Sequence, residues 1–303
     1  MREVTIGFGE NDGLVGTVTL PDGPGRGPAG AVGAGTGAGG VGLVLTNAGI
    51  VHRVGPHRIN VRIARRLAEQ GIPSIRFDLG GHGDSARLTG QHSFEAQAVL
   101  DVRAALDALG SVAGVERFAV FGLCSGAYHA YETALVDERI VGLLMFDAYR
   151  YPTWKTHVLH YLNGARQPHF ARRVLGFTRR AVVALGHREG EDAALRANPE
   201  LGRVNYIPTR SAFAAGLRSL LDRGVNIAMI YSGGEMRNYN YRKQFRDTFA
   251  PFGIGDRIPA TFLPHVDHQA STLAHQAELM RLIVGWSASV AGTAGTAVAA
   301  ASA

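Results

Sequence analysis

Short apolar runs alternate with stretches of helical period from Val41 to Phe146, and this alternation constrains the fold more than any other feature. Gly42–Thr46, Pro73–Asp78, Arg117–Phe121 and Ile140–Phe146 read as strands. Between them, Arg58–Gln70, Phe94–Leu109 and Gly126–Val136 read as helices; the first carries Ile59, Ile63 and Leu67 four apart and stops at Gly71. Strands joined by helices pair in parallel, and helices then cover both faces of the sheet. The expected fold class is therefore α/β, with a mostly parallel central sheet and helices on both faces. The sheet resumes at Asn226–Tyr231 and Thr261–Leu263. Ser271–Trp286 reads as a closing helix with Leu273, Ala277, Met280 and Val284 on one face.

Outside this frame, Glu3–Phe8 and Leu14–Leu20 flank a polar turn and read as a hairpin. Pro21–Gly40 is rich in Gly and Pro and reads as an exposed loop. It contains Gly35-Thr-Gly37-Ala-Gly-Gly40, which matches a dinucleotide fingerprint in spacing. That fingerprint must follow a strand and open a helix, and here it precedes a strand, so no cofactor is expected. Residues 148–223 break the alternation and read as an inserted helical cap between core segments 1–147 and 224–287. The segment from Arg150 to Arg223 holds 13 Lys/Arg against five Asp/Glu. An acidic substrate or carrier would suit that surplus, as would a plain solvated surface. Tyr149, Tyr151, Trp154 and Phe170 are available to line a pocket or to pack the cap. Residues 288–303, rich in Ala, Gly, Ser and Thr, read as a disordered tail.

Composition narrows the classes further. With 46% hydrophobic and 18% charged residues, the chain has what a globular core requires. The net charge of +6 comes without a basic run or a nucleic-acid motif, so nucleic acid is not an expected partner. Apolar runs are too short to span a bilayer, and Met1–Gly9 lacks the pattern of a signal peptide. One cysteine allows no internal disulfide. These features together point to a cytoplasmic protein.

That cysteine lies in the most informative segment, Arg117-Phe-Ala-Val-Phe-Gly-Leu-Cys-Ser-Gly-Ala127. A buried strand runs into Gly-x-Cys-x-Gly and then a helix, the setting of a nucleophile elbow. Residues two before and two after the nucleophile crowd each other and must be small; Gly122 and Gly126 hold those positions around Cys124. Centring the turn on Ser125 would put Leu123 in the crowded place. Cys124 is the expected nucleophile, at a helix N-terminus that favours a thiolate. The Ser125 N–H is then expected to form half of an oxyanion hole, and the N–H of Ala48 or Gly49, after the strand Gly42–Thr46, the other half. A buried structural cysteine in a Gly-rich turn is the competing reading.

The base is expected between the last strand and the closing helix. Phe262-Leu-Pro-His265-Val-Asp-His268-Gln offers His268, with His265 as the alternative. A metal bound by His265, Asp267 and His268 has no further ligand cluster to complete it. For the acid, Glu235 follows the strand after the cap in a Gly-flanked turn, and Asp147, at the end of the strand before the cap, competes. In Asp78-Leu-Gly-Gly-His82-Gly-Asp84-Ser85, His82 and Asp84 read as parts of a structural turn, with Asp84 and Ser85 capping the next segment.

At these residues the chain resembles the α/β-hydrolase superfamily, from about Val41 to Trp286. Asn47-Ala-Gly-Ile-Val-His-Arg-Val-Gly-Pro-His-Arg58, Arg76-Phe-Asp-Leu-Gly-Gly-His-Gly-Asp-Ser85 and Gly122-Leu-Cys-Ser-Gly-Ala127 look like a bacterial subgroup of exosortase-associated and biosynthetic-cluster hydrolases. The elbow cysteine is also similar to that of dienelactone hydrolases. The resemblance implies hydrolysis of an ester or thioester, on a small molecule or a carrier, through a covalent acyl-enzyme. An acyltransferase or cyclase would share that intermediate, and a non-catalytic binding module would lack it. Glu235 as the acid, where Asp is usual, and the long loop Pro21–Gly40 depart from the pattern.

Overall fold

The computed structural model describes residues 1–22, 40–86, 92–165, 196–198, 203–205 and 207–300. Residues 23–39 of the loop expected over Pro21–Gly40, with all but the last glycine of its motif, and residues 166–195 of the cap, including Phe170, lie outside the described residues.

Eight strands form one sheet in the order β1-β2-β4-β3-β5-β6-β9-β10. The hairpin β1 (Arg2–Phe8) and β2 (Leu14–Leu20) is antiparallel, and β2 runs antiparallel to β4 (Ser74–Phe77). From β4 onward all neighbours are parallel: β3 (Val41–Thr46), β5 (Arg117–Leu123), β6 (Ile140–Phe146), β9 (Asn226–Ser232) and β10 (Ala260–Leu263). Two short antiparallel strands, β7 (Arg196–Asn198) and β8 (Arg203–Asn205), form a separate pair.

Strand alternation sends side chains to two cores. In β5, Phe118 and Val120 face one core, while Ala119, Phe121 and Leu123 face the other. The first core is closed by α2 (Phe94–Ala113), α3 (Ser125–Val136) and α5 (Arg210–Asp222), through Val102, Leu106, Tyr131 and Phe213. The second is closed by α1 (Ile59–Glu69) and α7 (Leu273–Ala300), through Ile63, Leu67, Leu279 and Ile283. Helices on both faces match the expected fold class.

Two expected boundaries differ. The cap was expected to reach residue 223, but α5 lies within the main core. Its Phe213 packs edge-on against Tyr131 of α3 and against Tyr149. Its burial of Phe213, Ala214, Leu217 and Leu220 makes it the sheet-covering helix that precedes β9. Ahead of it, α4 (Trp154–Ala165) is helical as expected, while β7 and β8 are not. The tail expected from residue 288 begins instead as a continuation of α7. Val290 is buried in the second core, one turn beyond Trp286, whose indole N–H donates to Asn226 at 2.9 Å. Alanine has the highest helix propensity, so an Ala-rich extension costs little once the preceding turns are docked. Among the described residues no helix is long and apolar enough to cross a membrane.

This topology gathers the carboxyl ends of β3, β5, β6, β9 and β10 along one edge. Chain order reverses at β3, with β4 on one side and β5 on the other, the position at which open α/β sheets bind their ligands.

Candidate active site

Cys124 stands at that edge, between β5 and α3. Its backbone has φ 55° and ψ −118°, a region L-residues seldom adopt. The neighbouring glycines allow the turn. A Cβ on Gly122 would lie 2.4 Å from the Ala127 Cα, and one on Gly126 would lie 2.5 Å from the Asn47 carbonyl oxygen. The Cys124 N–H donates to the Phe146 carbonyl at 2.9 Å, fixing the elbow to the end of β6. Thr46, the last residue of β3, donates its hydroxyl to the Gly126 carbonyl at 2.8 Å. The sequence register that favoured Cys124 over Ser125 therefore has a steric counterpart in the fold.

His268 reaches the elbow from the loop after β10. Its Nδ1 is 2.7 Å from Asp147 Oδ2, and Cys124 lies near enough to its ring to raise the pKa of the imidazole. Since Nδ1 serves Asp147, Nε2 is the ring nitrogen left for Cys124. The bond to Asp147, then the neighbouring Cys124, push His268 up to about 10 against the opposing cost of burial. An imidazole this basic carries a proton at neutral pH.

The partner of His268 is Asp147, not Glu235. Asp147 follows β6, adopts φ 53°, and its carboxylate is wholly buried. Its Oδ1 accepts the Ser232 N–H at 2.8 Å and its Oδ2 the Ser232 hydroxyl at 2.5 Å. Arg150 lies 3.6 Å from Oδ1. Burial alone would raise this carboxyl, but His268, the charge of Arg150 and the two bonds from Ser232 outweigh it and hold the group below the usual carboxylate range.

Glu235 ends a short 3-10 turn, Gly233–Glu235, and its carboxylate accepts from Asn238 at 3.3 Å. The glycines before it serve packing instead. A Cβ on Gly234 would lie 2.7 Å from the His268 backbone nitrogen, and one on Gly233 would overlap the Pro264 carbonyl. The Gly-Gly signal marks where β9 meets the histidine loop.

The other candidates fall into place around this run. His265 is exposed and pairs with Glu278 at 2.6 Å. Asp267 accepts from the Ser271 hydroxyl and N–H, from Gln269 N–H and from His275, which together hold its carboxyl down and brace the loop before α7. The three residues His265, Asp267 and His268 thus have three separate sets of partners. In the loop after β4, His82 Nδ1 lies 3.1 Å from the Gly80 carbonyl, and Ser85 donates to the Asp78 carbonyl at 2.7 Å.

The loop after β3 carries the oxyanion candidates. Among the described residues, neither the Ala48 nor the Ser125 N–H has an acceptor, while the Gly49 N–H donates to Ser125 Oγ at 2.5 Å. The far end of this loop is tied down by contacts that sequence reading missed. Arg53 Nη1 lies 2.5 Å from Asp78, 2.7 Å from Asp84 and 2.9 Å from His52 Nε2. His52, Asp78 and Asp84 converge as metal ligands do, but the guanidinium already fills their common centre. Asn47 bridges His52 O and Asn60. A separate cleft of about 660 Å³ runs along α5 beside Arg218 and Phe252, away from Cys124. Its Arg218 and Arg223 are engaged by backbone carbonyls.

No protein-family model matches this chain, and no curated protein sequence does. Solved structures do match its fold. A proline iminopeptidase of Mycobacterium smegmatis is 18% identical with a TM-score of 0.52, over 97% of this chain and 100% of that one. An esterase of Pyrococcus furiosus is 13% identical with a TM-score of 0.55, over 94% and 88%. An alpha-beta serine hydrolase homologue from Coxiella burnetii is 14% identical with a TM-score of 0.51, over 93% and 95%. The chain has the α/β-hydrolase fold.

Proposed function

We propose that this chain is a hydrolase that cleaves an ester or thioester through an acyl-enzyme on Cys124. The observation that carries the reading is the 2.7 Å bond from His268 to Asp147 with Cys124 beside the imidazole, at the carboxyl end of the sheet. The likeness in fold to an esterase and a peptidase supports it. So does the backbone: Cys124 and Asp147 both hold positive φ, and such strain persists where a site needs it.

Proton and electron movements follow from the geometry. His268 Nε2 holds the thiol proton in an ion pair with the Cys124 sulfur, and that sulfur attacks the acyl carbonyl. The carbonyl π pair moves onto oxygen, which the N–H groups of Ser125 and Ala48 hold. Collapse breaks the bond to the leaving alkoxide or thiolate, which takes the proton from His268. Water then attacks the thioester carbonyl as His268 accepts its proton, and Cys124 leaves as the thiolate, which restores the ion pair. Asp147 keeps the imidazole in one tautomer and stabilises its charged form. The acyl group belongs to a small molecule or to a carrier.

Intact mass after brief incubation with short-chain activated thioesters tests this. The expected result is an acyl adduct on the wild type and none on Cys124→Ala. An adduct of equal yield on Cys124→Ala, lost in Ser125→Ala, would overturn the reading in favour of the serine. Neither adduct nor turnover across a panel of acyl donors, with the fold intact, would favour a binding module.

A further inference from the structure

The loop after β3 is anchored unevenly. At its far end Arg53 bridges Asp78 and Asp84, and the Arg53 N–H also donates to Asp78 at 2.5 Å. At its base Thr46 is bound to the helix side of the elbow through the Gly126 carbonyl. Between these anchors, Ala48 to Val51 form a turn closed by the Val51 N–H on the Ala48 carbonyl at 3.0 Å. Ile50 and Val51 at its crest are exposed, so burial contributes little to holding it. One bond ties this turn to the elbow, from the Gly49 N–H to Ser125 Oγ, across 76 residues of sequence.

That bond changes which amide serves the oxyanion. The sequence left Ala48 and Gly49 as alternatives. With the Gly49 N–H spent on Ser125 Oγ, Ala48 is the one left to pair with the Ser125 N–H. An oxyanion hole works by pre-organisation: its donors must stand within a few tenths of an ångström of the developing charge before reaction. Ala48 packs against the second core, but Gly49 to Val51 are exposed, so on that side of the turn the hydroxyl supplies the restraint.

We propose that Ser125 is a positioning residue, whose hydroxyl pins the turn at Gly49 and thereby sets the Ala48 N–H as the second oxyanion donor. The proposal rests on the acyl-enzyme reading for its catalytic consequence, but the pin itself does not. A serine at the first position of a helix is otherwise unremarkable, and alanine would serve the helix as well. What distinguishes Ser125 is the direction of its hydroxyl, towards a loop from another strand.

Two substitutions of equal shape isolate the hydroxyl: Ser125→Thr keeps it and Ser125→Val removes it. Amide hydrogen exchange over residues 47–51 reads the pin without any substrate. Faster exchange there is expected in Ser125→Val and Ser125→Ala, with wild-type protection kept in Ser125→Thr. Single-turnover acylation by an activated thioester reads the consequence. The acylation rate constant is expected to fall roughly 10- to 100-fold in Ser125→Val, the size of a misplaced catalytic group, with KM changed less than about threefold and the threonine variant near wild type. A merely structural serine would alter melting temperature without splitting the rate constant from KM. Unchanged exchange at 47–51 in both Ser125→Val and Ser125→Ala would overturn the proposal, whatever the activity. Lost protection with wild-type acylation would overturn its catalytic half. If wild-type protein formed no adduct on Cys124, the acyl-enzyme reading would fail, and the exchange result would still decide the pin.

Discussion

Two neighbouring turns on the same edge of the sheet each offer a carboxylate to the histidine loop. Asp147 follows β6 and Glu235 follows β9, and the two strands are paired. They differ in what the backbone around them supplies. Asp147 is wholly buried and receives the Ser232 N–H, the Ser232 hydroxyl and His268. Glu235 is only partly buried and holds one side-chain donor, at 3.3 Å, from Asn238. A buried carboxylate survives ionised only where donors surround it. The turn after β9 supplies donors and close packing, and the turn after β6 supplies the carboxylate that meets His268.

Several substitutions would break or sharpen that contrast. The largest effect is expected for Asp147→Asn. Acylation of Cys124 should slow on the order of 10³- to 10⁴-fold, as when a triad aspartate loses its charge, measured by single-turnover kinetics. A rate within tenfold of wild type would return the role to another carboxylate. Gly234→Ala comes next. Its Cβ must displace the His268 backbone, so acylation is expected to fall about 100-fold. Ser232→Ala removes the hydroxyl donor of a buried anion. A loss of about 2 kcal/mol in urea unfolding is expected, with a smaller kinetic effect than either substitution above.

The pH dependence of stability gives a finer test. His268 rises from 6.5 to about 10 on folding, so it stabilises the fold fully below pH 6.5. That contribution is lost as pH climbs through about 10. Thermal melts between pH 7 and pH 10 should therefore fall less steeply for Asp147→Asn than for wild type. Asp147 acts in the opposite direction: held low in the fold, it contributes above about pH 4, the ordinary aspartate range, and loses that below its folded pKa. Equal alkaline slopes would mean that Asp147 is not what makes His268 basic. The smallest effect belongs to Glu235→Gln, expected to acylate within about twofold of wild type, as for a surface change away from the reacting atoms. A fall of 100-fold would reverse the comparison.

The glycines illustrate what a chain discloses about itself. Gly122 and Gly126 lie within two residues of Cys124; a Cβ on Gly122 would meet Gly126 and Ala127, a crowding legible from spacing, whereas one on Gly126 would meet Thr46 and Asn47 at the end of another strand. Gly233 and Gly234 give the same local signal but answer to Pro264 and His268, some thirty residues on. Read locally, they lent weight to Glu235; in the fold they make room for the histidine loop. Ser232 was overlooked for the same reason. A serine ending a strand carries no mark of the aspartate it meets 85 residues earlier. Arg53 is similar: the string around it was noticed, but its bridge to Asp78 and Asp84 needed two loops to meet.

What the sequence determined by itself is what nearest neighbours along the chain decide. The alternation of strand and helix, the sheet-covering periodicity, the elbow at Cys124 and the placing of His268 before the closing helix all follow from local sterics and short-range pattern. Tertiary structure decided which carboxylate meets His268, which amide of the loop after β3 is bonded to Ser125, and the docking of α5 and the length of the last helix. Each depends on groups far apart in sequence meeting at one edge of the sheet. Burial there removes water as a partner, so the roles go to the residues whose hydrogen bonds the fold completes.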